Sequence, residues 1–186
     1  MKKENILGFD VCNNSEDELI NEIFADYNNN IQNVILNINP EIVINNYKDK
    51  KIISQFNSEK YQIPDGVGII YASKINKGQI KKRIPGIDFM KKICGESVKH
   101  NSRVFLYGTQ PDIIEKAKEE LEKAYPGIQI VGTCNGFIDE DVALERIKNT
   151  KPDILFVGTG SPKQEKFIFK NKEKLSTVKI FMPVGR

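Results

Sequence analysis

The strongest constraint on the fold comes from the second half of the chain, where short apolar runs alternate with charged amphipathic stretches. Arg103 to Gly108 is a compact apolar run, Pro111 to Tyr125 an amphipathic helix closed by Pro126-Gly127, and Ile128 to Gly132 a second apolar run. Asp139 to Asn149 then reads as a helix, Asp153 to Gly158 as a strand, Pro162 to Leu175 as a helix and Val178 to Met182 as a strand. Strands apolar on both faces, each followed by a helix, predict a mostly parallel sheet with helices on both faces, an α/β, Rossmann-like fold.

The first half carries the same signals less regularly. Ile6 to Val11 reads as a strand, and Ser15-x-x-Glu18 as a capping box opening a helix to about Tyr27. A second strand over Val34 to Ile38 stops near Asn39, because Pro40 has no N–H to give a ladder and suits the first turn of a helix. Glu41 to Tyr47 and a segment through Ile52, Ile53 and Phe56 continue as helix, and Phe89, Ile93 and Val98 fit another that ends near His100.

At 186 residues the chain is long enough for one well-buried core, so a single domain over 1–186 is expected. A net charge of +3, with no basic block, gives a nucleic-acid role little electrostatic support. Cys12, Cys94 and Cys134 show no CxxC spacing, which predicts neither a disulfide framework nor a zinc cluster and fits a reducing, cytoplasmic setting. The N-terminus has no apolar signal region, and no window approaches a membrane span.

Two loops carry the candidate chemistry. In the first, Ile63 to Asp88, Asp65 stands beside Gly66 and Gly68, which let a ligand approach the backbone, and Arg83 follows as a partner for negative charge. Asp-Gly is also an ordinary turn pairing. In the second, Gly158-Thr-Gly160 is a tight turn, Ser161 the expected N-cap, Pro162 the first helical residue and Gln164 the reciprocal box position. A helix starting there, with Lys163 beside it, makes an anion site at the end of a parallel strand, although a merely well-capped helix fits the same residues.

Familiar nucleotide signatures fail. Position 163 is lysine where the dinucleotide fingerprint needs its third glycine, and no GxxxxGK[ST] occurs. Asp139-Glu140-Asp141 resembles a metal-holding acidic triplet but sits at a helix start, where carboxylates favour the dipole. His100 lies in a polar segment and builds no triad.

Together the segments resemble the WecG/TagA/CpsF glycosyltransferases. The resemblance rests on Asn39-x-Glu41, Pro64-Asp65-Gly66-x-Gly68, Arg83-x-x-Gly86-x-Asp88, Tyr125-Pro126-Gly127 with Gly132 and Gly136-Phe137, and Gly158-x-Gly160-x-Pro162-Lys163-Gln164-Glu165. It implies transfer of N-acetylmannosamine, or a related sugar, from a UDP-sugar to undecaprenyl-diphosphate-linked N-acetylglucosamine at the cytosolic membrane face, as in wall teichoic acid linkage-unit synthesis. Asp65 matches the general base of an inverting transfer. Asn37, Asn39, Gly66, Gly68, Arg83, Gly108, Gly158, Gly160, Lys163 and Gln164 match substrate-binding positions, with Asn39, Arg83 and Gln164 lining the base's pocket. No cofactor and no metal are expected, and self-association is implied.

Two departures from the family pattern stand out: Asn37 replaces the usual threonine, and the family's basic C-terminal extension does not follow Gly185-Arg186. From the latter come the expectations that this chain binds UDP, binds anionic vesicles weakly and transfers poorly. The alternatives are a non-catalytic relative that binds a sugar nucleotide or a protein partner, and an unrelated nucleotide-dependent oxidoreductase.

Overall fold

A computed structural model describes residues 2–185, so Met1 and Arg186 lie outside the described residues. The chain divides into two compact units, the first Met1–Ala25 with Asn33–Phe89 and the second Asp26–Gln32 with Met90–Arg186. Strands followed by helices, in parallel pairing, build the larger part of each, which makes the architecture α/β and Rossmann-like.

The first unit opens with a hairpin where the sequence predicts one strand. β1 (Lys3–Ile6) and β2 (Phe9–Cys12) pair antiparallel, Ile6 against Phe9. The turn between them puts Leu7 at φ 49° and Gly8 at φ 101°, the doubly left-handed geometry that matches hairpin twist, and Asn5 Oδ1 accepts from Gly8 N at 3.0 Å. The predicted box at α1 (Glu16–Asn28) forms: Ser15 N donates to Glu18 Oε2 at 2.8 Å and Glu18 N to Ser15 Oγ at 3.2 Å.

β3 (Asn33–Ile38) and β4 (Tyr61–Pro64) run parallel, with α2 (Pro40–Asn46) and α3 (Lys50–Asn57) between them in sequence. Asp49 caps α3 by accepting from Lys51 N and Ile52 N. After β4 the chain forms α4 (Val67–Ile75), and α5 (Gly86–Lys99) carries it into the second unit.

In the second unit β5 (Arg103–Gly108), β6 (Gln129–Cys134), β7 (Ile154–Gly158) and β8 (Ile180–Pro183) form parallel neighbours in the order β8-β7-β5-β6. α6 (Pro111–Ala124), α7 (Glu140–Thr150) and α8 (Lys163–Asn171) follow β5, β6 and β7 in turn. Val104 to Tyr107, Ile154 to Val157 and Ile180 to Met182 are buried throughout, as strands covered on both faces must be. Each such large aliphatic or aromatic side chain contributes about 1.5–3 kcal/mol by leaving water. Phe105, Phe156, Phe167 and Phe181 are the bulkiest fully buried members. Arg103 fastens one rim, its guanidinium donating to the Thr150 and Lys151 carbonyls at the left-handed C-terminus of α7.

Candidate active site

The predicted site residues fall into two groups, one in each unit. The first is built by register. β3 and β4 pair so that Ile38 lies opposite Pro64, which brings Asn39 and Asp65 to the carboxyl ends of adjacent parallel strands. Asp65 N donates to Ile38 O at 2.8 Å, fixing the first residue past the strand. Asn39 is engaged as a cap: its Oδ1 accepts from Ile42 N at 2.8 Å, with Pro40 opening α2 behind it.

Asp65 is half-buried, and its Oδ2 accepts from Gly86 N at 3.3 Å, the first residue of α5. Ile84 N donates to Pro64 O at 2.7 Å and so ties the approach to α5 onto the end of β4. Asn37 packs against the same glycine, since a methyl group on Gly86 would lie 2.6 Å from Asn37 Nδ2. Asn37, Asp65 and Gly86 therefore form one cluster of a carboxylate, an amide and a helix N-terminus. Gly66 has φ 93°, which suits glycine, while a methyl at Gly68 would lie 2.5 Å from Pro40 Cγ. The smallness of Gly68 thus serves the packing of α4 on Pro40, a role the sequence does not announce.

Arg83 is exposed and lines a cleft of about 360 Å³ together with Lys81, Lys82 and residues 12–17. Pro64, the residue before Asp65, also borders that cleft.

The second group sits where β5 leads to β6 on one side and β7 lies on the other, the topological switch point at which α/β sheets open a crevice. Gly108 and Gly158 pair across it, so close that a methyl on Gly108 would meet the Gly158 carbonyl at 2.3 Å. Thr109, at φ 51°, donates through its N to Gly158 O at 3.0 Å and accepts at its O from Gly136 N at 2.8 Å, lacing the loops after β5, β6 and β7 together. Lys163 Nζ reaches Gly136 O at 3.1 Å from the first turn of α8.

The capping box expected at α8 does not form. The helix starts at Lys163, with Pro162 rather than Ser161 in the cap position and no side-chain cap bond. Gln164 is buried and turned elsewhere: its Oε1 accepts from Gly185 N at 2.9 Å and its Nε2 donates to Gly185 O at 2.9 Å. A primary amide offers one acceptor and one donor, which here pair with the N–H and the C=O of the same residue, and this two-bond clasp outcompetes a single bond to a helix terminus. Gly185 comes to rest over the turn, 2.7 Å from its Cβ position to Gly160 N.

Residues missed in the sequence are Gly86 as a donor, Thr109 and Gly185. Only Gly86 carried a signal, its place in the Arg83-x-x-Gly86 segment. Asp139 caps α7, accepting from Asp141 N at 2.9 Å, and Glu140 pairs with Lys170 at 2.7 Å. Among the described residues no three His, Cys, Asp or Glu side chains converge as a metal set. The three cysteines form no disulfide and are buried, and burial pushes the Cys94 thiol up to about 12.

Among known proteins, the family model described as the glycosyl transferase WecG/TagA/CpsF family matches residues 4–186. A Bacillus subtilis (strain 168) protein named N-acetylglucosaminyldiphosphoundecaprenol N-acetyl-beta-D-mannosaminyltransferase is 35% identical over 136 residues, 73% of this chain and 53% of that protein. Its namesake in Staphylococcus aureus (strain NCTC 8325 / PS 47) is 32% identical over 187 residues, 98% of this chain and 73% of its own. The chain thus spans about half of the first relative's length and about three quarters of the second's.

Proposed function

The chain belongs to the glycosyl transferase WecG/TagA/CpsF family, and from that premise we propose that it transfers N-acetylmannosamine, or a related sugar, from a UDP-sugar to N-acetylglucosamine on undecaprenyl diphosphate. The observation that carries the reading is the half-buried Asp65 carboxylate, held at the ends of two parallel strands by the Gly86 N–H. Asp65 takes the proton from the acceptor hydroxyl as its oxygen attacks the anomeric carbon. The bond from that carbon to the UDP phosphate oxygen breaks, the electron pair leaves on UDP, and the configuration inverts.

In the second unit the Gly158–Gly160 turn offers the first N–H groups of α8 and the Lys163 ammonium to the charge of a diphosphate. No metal is needed in this scheme; chelator should leave donor binding intact, and binding restored only by magnesium or manganese would contradict it. Asp65→Asn keeps the side chain's shape but cannot accept the proton. It should lower transfer about 100- to 10,000-fold with UDP binding and thermal melting unchanged. A variant that transfers at the parent rate would end the assignment of Asp65 as base. Self-association, implied by the family resemblance, is checked by sedimentation.

A further inference from the structure

The segment between Asp65 and Asp88 holds five cations, Lys74, Lys77, Lys81, Lys82 and Arg83, and no acidic residue. It is the basic block that the evenly balanced composition conceals. The same segment contains α4, whose inner face buries Ile69 and Ser73 while its outer face leaves Val67 57%, Tyr71 65% and Ile75 81% exposed. Spacing of four residues sets those three side chains in one stripe along the helix. Scattered apolar residues on a surface are ordinary, but an aligned stripe that includes a tyrosine and ends among lysines is not.

Of these cations, Lys74 and Lys77 flank the end of the stripe. Beyond α4 the chain turns back, with Gly78 N donating to Ser73 O at 2.8 Å and Ile80 N to Ser73 Oγ at 3.1 Å. The nearby Glu4 carboxylate is turned onto backbone, accepting from Gln79 N at 2.9 Å. Lys74 and Lys77 remain exposed at the end of the helix.

We infer that the outer face of α4, with Lys74 and Lys77, docks on an anionic lipid bilayer. Val67, Tyr71 and Ile75 enter the headgroup boundary, tyrosine suits that depth, and the lysines meet lipid phosphates. Charge selects this occupant over a second copy: a twofold contact through α4 would set the same row of cations against itself. α4 starts two residues after Asp65, and a nine-residue helix is about 13 Å long, so docking leaves the carboxylate near the lipid surface. That consequence rests on the lipid-linked acceptor proposed above; the docking does not. It replaces the weak vesicle binding expected from the chain end alone.

The chain has no tryptophan, so Tyr71→Trp creates a single fluorescent reporter. Its emission should shift to the blue on adding vesicles of phosphatidylcholine with phosphatidylglycerol, and stay put with phosphatidylcholine alone. In co-sedimentation the parent chain should bind the anionic vesicles, Tyr71→Ser with Ile75→Ser should abolish binding, and Lys74→Gln with Lys77→Gln should weaken it about thirtyfold. These side chains are exposed, so thermal melting should match the parent and identify any variant that has lost its fold. Absence of binding, variants that bind like the parent, or a dimer that Ile75→Ser dissolves without any vesicle effect would each overturn the inference. These vesicles contain no acceptor, so their outcome is independent of turnover. Transfer to a short-chain soluble acceptor without vesicle binding would remove the docking face alone, and vesicle binding without transfer would remove the catalytic reading alone.

Discussion

A methyl group added at Gly108 would lie 2.3 Å from the carbonyl carbon and oxygen of Gly158, on a backbone already at φ 142°. The obstacle is main chain in the centre of a parallel sheet and has no rotamer to adopt. Gly108→Ala should therefore cost about 3 kcal/mol or more, read as a fall in the urea midpoint. Gly86 presents the contrasting case. Its neighbour is the Asn37 amide at 2.6 Å, a side chain able to turn aside, so Gly86→Ala should lower stability by only about 1 kcal/mol. It should nonetheless slow transfer, because it displaces the N–H from which Asp65 Oδ2 accepts. Combining it with Asn37→Ala should return the stability, a non-additivity expected of residues in contact.

At the scale of elements, the two helix starts that read alike in sequence behave differently. Ser15 and Glu18 close their box through two reciprocal bonds, whereas Gln164 is taken up by both the N–H and the C=O of Gly185. Gln164→Ala should cost about 1–2 kcal/mol and speed hydrogen exchange at the Gly185 amide, since two half-buried backbone groups lose their partner. The Ser15 N–H holds the Glu18 carboxyl below the ordinary glutamate range. A carboxyl so lowered lends stability that is complete above about pH 4.3, its unfolded value, and is lost as pH falls through the folded one. Glu18→Gln should flatten that part of the acid unfolding curve. α4 escapes a sequence reading because its apolar stripe faces outward, so periodicity does not mark a buried helix face there. The β1–β2 hairpin escapes because Leu7, an apolar residue, occupies a left-handed turn position normally given to Asn, Asp or Gly.

Across the whole molecule, the alternation of apolar runs with amphipathic helices was enough to foresee the parallel strands of the second unit, because fully buried strands must be apolar on both faces. The site was legible only in part. Asp65 and Asn39 follow from where β3 and β4 must end, but their meeting with Gly86 depends on how the chain returns after α4, which no local pattern encodes. Burial also makes a global test of packing. Native protein should give no reaction with a disulfide reagent at neutral pH, and all three cysteines should react once the chain is unfolded. The clasp on Gly185 bears on how the protein is handled at the bench. Because Gln164 pins that glycine against the Gly160 amide, a bulky label coupled through Gly185→Cys would sit at the glycine turn and compete with ligands for the mouth of α8.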